Sequence, residues 1–140
     1  MNNLLLERLL TSSLADAKFL LEKHNEFYPF ANTIRDNGEE SIESIYTEEH
    51  PNLHDSIKSL KSILFEKISK GEICAFSIIY IMKLAYPVRY KNLDAITMDT
   101  ILNDKSCNKF VYPYKIKHDK IIYYKPFGMK LSDIFETLER

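Results

Sequence analysis

The hydrophobic pattern of the chain is organised around one long apolar run. Residues 73–85 read ICAFSIIYIMKLA and are apolar on both alternating faces. The enrichment in Ile, Phe and Tyr, and the bounding Gly71 and Pro87, favour a strand, although periodicity alone leaves a buried helix open. Ser77 and Lys83 interrupt a run that is already short for a membrane span. A strand that is apolar on both faces must be covered on both, so this pattern predicts the centre of a sheet.

Two segments have apolar residues at steps of three and four, which is typical of amphipathic helices. The first ends near Asn25, and its run Thr11-Ser12-Ser13 allows a break with a serine as the cap of the second half. The second is bounded by Pro51 and Gly71, which suit a helix start and a helix stop. The stripes consist of Leu6, Leu10, Leu14, Ala17, Leu21 and His24 in the first helix, and Leu53, Ile57, Leu60, Ile63, Leu64 and Ile68 in the second. His24 is interpreted as a packed or partly exposed residue rather than a catalytic base.

The remaining segments predict strands. Residues 30–35 and 41–47 flank Asp36-Asn37-Gly38, a strong turn signal, and are expected to form a hairpin whose return strand is the weaker. Alternating patterns predict strands over 94–102 and 110–117, and a short last strand over 121–124, with Pro126 and Gly128 closing the sheet. A stripe at helical spacing predicts a short helix over 131–138.

The predicted order is α-β-β-α-β-β-β-(β)-α in a single domain covering residues 1–140. Short turns between the later strands favour antiparallel pairing, so we expect an α+β fold with a five- or six-stranded antiparallel sheet and helices packed on it. A chain of 140 residues can bury a core without disulfides or metals. The order resembles the profilin-like or roadblock-like arrangement, and an analogy of this kind carries no function.

Composition and charge exclude little. The net charge of -1 gives no electrostatic reason to expect nucleic acid as a partner. The two cysteines, Cys74 and Cys107, are interpreted as free thiols in a reducing compartment. The opening MNNLLLERLL has no positive leading region and is broken by charges, so it is not read as a signal peptide. We therefore expect a cytoplasmic protein that does not bind membranes.

The sequence offers no convincing catalytic or metal-binding motif. His50 and His54 are four residues apart, but Pro51 places His50 at or before the first helical turn, and no third ligand stands at a recognisable spacing. Asp94 and Asp99 lie at an odd separation on one predicted strand and should point to opposite faces. We expect no catalytic residues, no metal and no cofactor.

Aromatic residues and lysines are interleaved on one late strand. The aromatics Phe110, Tyr112 and Tyr114 alternate there with positions occupied by Lys109, Lys115 and Lys117. Such a pattern could bind single-stranded nucleic acid. The preferred interpretation is a core face of aromatics and a solvated face of lysines.

The charges are distributed unevenly along the chain. From residue 36 to 55 every formal charge is negative, whereas residues 105–130 are rich in lysine. An acidic edge formed by the first hairpin could steer a basic partner, although it could also be a solvated surface that resists aggregation. The candidate partner-binding residues are Asp36, Glu39, Glu40, Glu43, Glu48 and Glu49.

Several short motifs, in order, resemble a group of small bacterial proteins of the immunity type. These motifs are EFYPFA at residues 26–31, the Gly38-Glu39 turn, the strand around Ala75 and the DAI at residues 94–96. The resemblance implies a cytoplasmic protein that binds and neutralises a cognate protein toxin, and it implies no catalytic residues. The alternative is a small self-associating scaffold or regulatory domain, with a homodimer as its expected form. An enzyme built on Asp94, Asp99 and the histidines is the least favoured reading.

Overall fold

A computed structural model of the chain describes residues 3–43 and 53–130. These residues form an α+β fold, as predicted. The helices are α1 (Asn3–His24) and α2 (Leu53–Ser69), with a 3₁₀ turn at Val88–Tyr90. The strands are β1 (Phe30–Ile34), β2 (Glu40–Glu43), β3 (Ala75–Lys83), β4 (Asp94–Leu102), β5 (Cys107–Lys117), β6 (Lys120–Tyr123) and β7 (Phe127–Lys130). The predicted helix over 131–138, the end of the predicted return strand and residues Glu48, Glu49 and His50 lie outside the described residues.

The long apolar run forms the middle of the sheet. Strand β3 lies between β1 and β4 in the order β2-β1-β3-β4-β5-β6, and all pairs are antiparallel. Its first six residues are buried. The predicted central strand is therefore confirmed, although it is shorter than the run over 73–85, because Ile73 and Cys74 precede it and Leu84 follows it.

Each face of β3 is covered by a different helix. On one face, Ala17 and Leu21 of α1 are buried in a cluster with Ile79 of β3. On the other face, Leu60 and Leu64 of α2 are buried with alternating β3 residues such as Phe76 and Ile78. Each large side chain buried in this way contributes roughly 1.5–3 kcal/mol. The alternation of β3 thus produces two core layers, here called the α1 face and the α2 face.

Helix α1 is continuous through Thr11, Ser12 and Ser13, so the break allowed by the sequence does not occur. Ser13 is buried and faces the sheet, where its Oγ lies 2.5 Å from Oγ of Ser77 on β3. A buried hydroxyl with a hydrogen-bond partner costs little. The serine that could have capped a second helix therefore joins α1 to the sheet instead.

The outer edge of β5 is shared by two short strands. Residues Tyr114–Lys117 pair with β6, and Asn108–Val111 pair with β7. Between them, the amide of Tyr124 donates to the carbonyl of Pro113 at 2.9 Å. The predicted last strand is confirmed as β6, whereas β7 is an additional strand that forms where Pro126 and Gly128 predict the end of the sheet.

Neither described helix is both long enough and apolar enough to cross a membrane.

Candidate binding surface

An open groove lies between α1 and the β1–β2 hairpin. Its volume is about 890 Å³. One wall comes from the second half of α1, and the other comes from the connection to β1 and from Ile42 on β2. The lining residues are Asp16, Phe19, Leu20, His24, Glu26, Phe27, Tyr28, Pro29, Phe30 and Ile42.

Three large apolar side chains are strongly exposed around this groove. Phe19 is 62% exposed, Tyr28 is 73% exposed and Ile42 is 63% exposed. Single exposed apolar residues are ordinary on protein surfaces, but several that line one concavity mark a site of interaction. Folding leaves these three outside the core, so the groove is apolar surface available to a ligand or partner.

A more polar groove of about 380 Å³ continues from the first one, with Asp16 and Ile42 lining both. Its wall includes Asn32, which is only 4% exposed and is the cross-strand neighbour of Ile42. The Asn32 amide nitrogen donates to Oγ of Ser13 at 3.2 Å and to Oδ2 of Asp16 at 3.1 Å. Its carbonyl oxygen is buried and has no hydrogen-bond partner among the described residues.

The structure distributes the predicted acidic residues unequally. Asp36 and Glu39 are exposed at the hairpin turn. Glu40 accepts a hydrogen bond from Ser12 at 2.8 Å and lies 3.8 Å from the Arg8 guanidinium. The carboxylate of Glu43 forms an ion pair with Lys67 of α2 at 2.6 Å. Two of the hairpin carboxylates, Glu40 and Glu43, are therefore already paired with residues of the same chain.

A charged cluster lies on the opposite side of the sheet, beneath α2. The Asp99 side chain on β4 is 2% exposed, and the Tyr80 hydroxyl donates to its two oxygens at 3.1 and 3.2 Å. Lys61 of α2 approaches one oxygen at 3.2 Å and Lys109 of β5 approaches the other at 3.6 Å. The Lys109 ammonium also donates to the Tyr80 hydroxyl at 2.8 Å. Two lysines thus balance the negative charge of Asp99, and a tyrosine hydroxyl donates to its carboxylate, within the interior.

This arrangement is poorly suited to acid–base catalysis. Burial, followed by the nearby charge of Asp99 and its hydrogen bond, raises the pKa of Tyr80 far above its ordinary value, so its hydroxyl stays protonated. Asp94 is exposed, and its side chain lies on the face of β4 opposite to that of Asp99. The two carboxylates therefore cannot act as a pair, as predicted. The cluster is best explained as a structural ion-pair network.

The prediction that Lys109 lies on a solvated face is wrong. Its side chain is only 13% exposed because β5 pairs Lys109 directly with Asp99. The antiparallel register of β4 and β5 is the signal that could have revealed this pair. Lys115 and Lys117 are exposed as predicted, and the aromatics Phe110, Tyr112 and Tyr114 pack on the α1 face as predicted.

The remaining candidates for chemistry are dispersed. His24 and His54 are exposed at the end of α1 and near the start of α2. Within residues 3–43 and 53–130, no three His, Cys, Asp or Glu side chains are grouped so that they could hold a metal ion. Burial raises the pKa of both thiols, Cys74 and Cys107, which lowers their thiolate fraction at neutral pH.

Among the described residues, the groove between α1 and the β1–β2 hairpin is therefore the candidate binding surface. Searches of protein-family models, of curated proteins and of solved structures find no match to this chain.

Proposed function

We propose that the chain is a non-catalytic binding protein of the immunity type, which binds and neutralises a cognate protein toxin. The observation that carries this proposal is the exposure of Phe19, Tyr28 and Ile42 around one groove. Aromatic residues that line a concave surface supply much of the binding energy in protein interfaces. The contact surface then comprises this groove and the adjoining hairpin.

The charges near the groove favour a basic partner. Asp16 and Glu26 line the groove itself, and Asp36 and Glu39 are exposed on the neighbouring turn. Complementary charges accelerate association and help to exclude wrong partners, while the apolar centre supplies affinity. A toxin with a basic surface and a protruding apolar side chain fits this combination.

The direct test is co-expression with the toxin encoded by the neighbouring gene. We expect the chain to restore growth and to retain the toxin in a pull-down. Equal toxicity in cells with and without the chain would refute the proposed immunity function. Phe19→Ser should weaken toxin binding about thirtyfold, which corresponds to the roughly 2 kcal/mol typical of a central interface aromatic.

A matched control is available on another surface. Val88 is 84% exposed on the 3₁₀ turn and lies outside the groove. Val88→Ser also truncates an exposed apolar side chain, and it should leave both protection and binding unchanged. Loss of protection in both variants to the same extent would indicate general destabilisation and would count against the groove as the contact surface.

A self-associating scaffold is the second candidate, and the position of β2 favours it. This strand is at the end of the described sheet, so its outer edge has no described strand beside it. Two copies could pair along this edge, with Ile42 at the contact. Light scattering distinguishes the two proposed functions. A stable dimer that the Ile42→Ser substitution dissociates would support the scaffold, whereas a monomer would exclude it.

A further inference from the structure

We infer that an extended segment of the partner protein, with alternating basic and apolar residues, pairs as an added strand with the outer edge of β2. This inference rests on the proposed function, since it names the chemistry and the conformation of the partner at the same surface. It is carried by the position of Ile42, whose backbone lies on the last described strand of the sheet and whose side chain lines the apolar groove.

The backbone groups at this edge can be assigned from the hairpin register. The amide of Arg35 donates to the carbonyl of Glu39 at 2.8 Å. Because hydrogen-bonded positions alternate along an antiparallel pair, Ser41 is the next β2 residue bonded to β1. The N–H and C=O groups of Glu40 and Ile42 therefore point away from β1, and none of the described strands lies on that side. An extended chain laid along this edge can bond to both residues, as in β-strand addition.

The Ile42 side chain makes the edge apolar on one face. Side chains alternate between the two faces of a strand, and here Glu40 contacts Ser12 of α1 whereas Glu43 contacts Lys67 of α2. Ile42 therefore lies on the α1 face, where it is 63% exposed and lines the groove. A strand added beside β2 would direct every second side chain to this face, with one Cβ atom about 4.5–5.5 Å from that of Ile42.

The charges of the hairpin favour a basic segment. Glu40 and Glu43 keep 41% and 28% side-chain exposure in their ion pairs. Asp36 and Glu39 take part in no ion pair within residues 3–43 and 53–130. Opposite charges on neighbouring strands are favourable, whereas like charges directly opposite are destabilising. A second copy of the chain would bring the same carboxylates to this edge, so a basic partner segment fits it better.

The test is a titration of the full-length chain with the acetylated and amidated heptapeptide KVKVKVK, followed by NMR. Bound peptide should slow amide hydrogen exchange at Glu40 and Ile42 about tenfold or more, with little change at Ser41, whose amide already bonds to β1. The peptide KKVVVKK has the same composition without alternation, and EVEVEVE has the opposite charge. Each should bind about fivefold or more weakly than KVKVKVK.

Three results would overturn the inference. One is equal binding of KVKVKVK and either comparison peptide. Another is binding that leaves hydrogen exchange at Glu40 and Ile42 unchanged, which would indicate a ligand held by the groove alone. The third is no binding of any of the peptides, which would identify β2 as an edge that only resists aggregation.

A pair of variants isolates the backbone contact. Proline and valine side chains have the same number of carbon atoms, but proline has no N–H, and an edge strand tolerates it where that N–H would point outward. Ile42→Pro should bind KVKVKVK about tenfold more weakly than Ile42→Val. Equal affinity of the two variants would refute pairing through the Ile42 amide. If Ile42→Pro does not fold, the exchange rates in the unmodified chain decide.

The two proposals fail separately. A toxin that is neutralised by the chain, without any slower exchange at Glu40 and Ile42, would remove only the strand addition. Specific pairing with KVKVKVK, without any protection against the toxin, would remove only the proposed function.

Discussion

The ion-pair network beneath α2 yields the sharpest stability prediction. Asp99→Asn preserves the shape of the side chain and removes its charge, which leaves the ammonium groups of Lys61 and Lys109 facing a neutral amide. Removal of one partner from a buried charge pair typically costs 3–5 kcal/mol. Because the Lys61 side chain retains 24% exposure, we expect the lower end, about 3 kcal/mol.

The assay is urea denaturation at neutral pH, followed by circular dichroism. For a chain of this size, about 3 kcal/mol should also lower Tm by roughly 10 °C. The matched control is Asp94→Asn, an exposed position on the same strand, which should change the free energy of unfolding by less than about 0.5 kcal/mol.

A double variant separates loss of the network from loss of packing. In Asp99→Asn/Lys109→Met the more deeply buried cation is removed together with its counter-ion, so about 2 kcal/mol of the loss should be recovered. Equal stability of Asp99→Asn and the unmodified chain, or simple addition of the effects of the two single substitutions, would contradict a stabilising ion-pair network at Asp99.

Two further predictions concern Tyr80 and Gly38. The pKa of Tyr80 in the folded chain is raised above its ordinary value of 10.0, so above that pH the unfolded chain loses the proton first and the free energy of unfolding falls. Tyr80→Phe should make this fall less steep when urea midpoints are measured across alkaline pH. Parallel pH curves for the two proteins would contradict this prediction. Gly38 has φ of 89° at the hairpin turn, so Gly38→Ala should cost about 1 kcal/mol in the free energy of unfolding and Gly38→Asn less, and equal losses would contradict the conformational explanation.

The sequence predicts the sheet and its layers because those depend on local periodicity. The alternating run around Ile78 and Ile79 is enough to indicate burial on both faces, and the spacing of Leu60 and Leu64 identifies the helix that covers one of them. The sequence pattern does not predict β7, because a glycine such as Gly128 normally indicates the interruption of a strand. Here Gly128 lies opposite Phe110, where an added Cβ would come within 3.1 Å of the aromatic ring.

The polar sites were harder to predict because they depend on contacts between distant segments. Asp99 and Lys109 become partners only once the register of β4 and β5 is known. Asn32 and Asp16 meet across a helix–sheet contact that periodicity does not specify. The acidic hairpin was visible as a run of charges, but the pairing of Glu43 with Lys67 depends on how α2 is placed.

The hydrogen bond between the Ser13 and Ser77 hydroxyls helps to fix the position of α1 along the sheet. A stripe of hydrocarbon side chains repeats with each turn, so a helix shifted along the sheet by one turn, about 5.4 Å, still presents an apolar face to it. The two hydroxyls meet in only one of these settings. Because α1 forms one wall of the groove, part of what shapes this outer surface lies in the interior, at a contact between two small hydroxyl side chains.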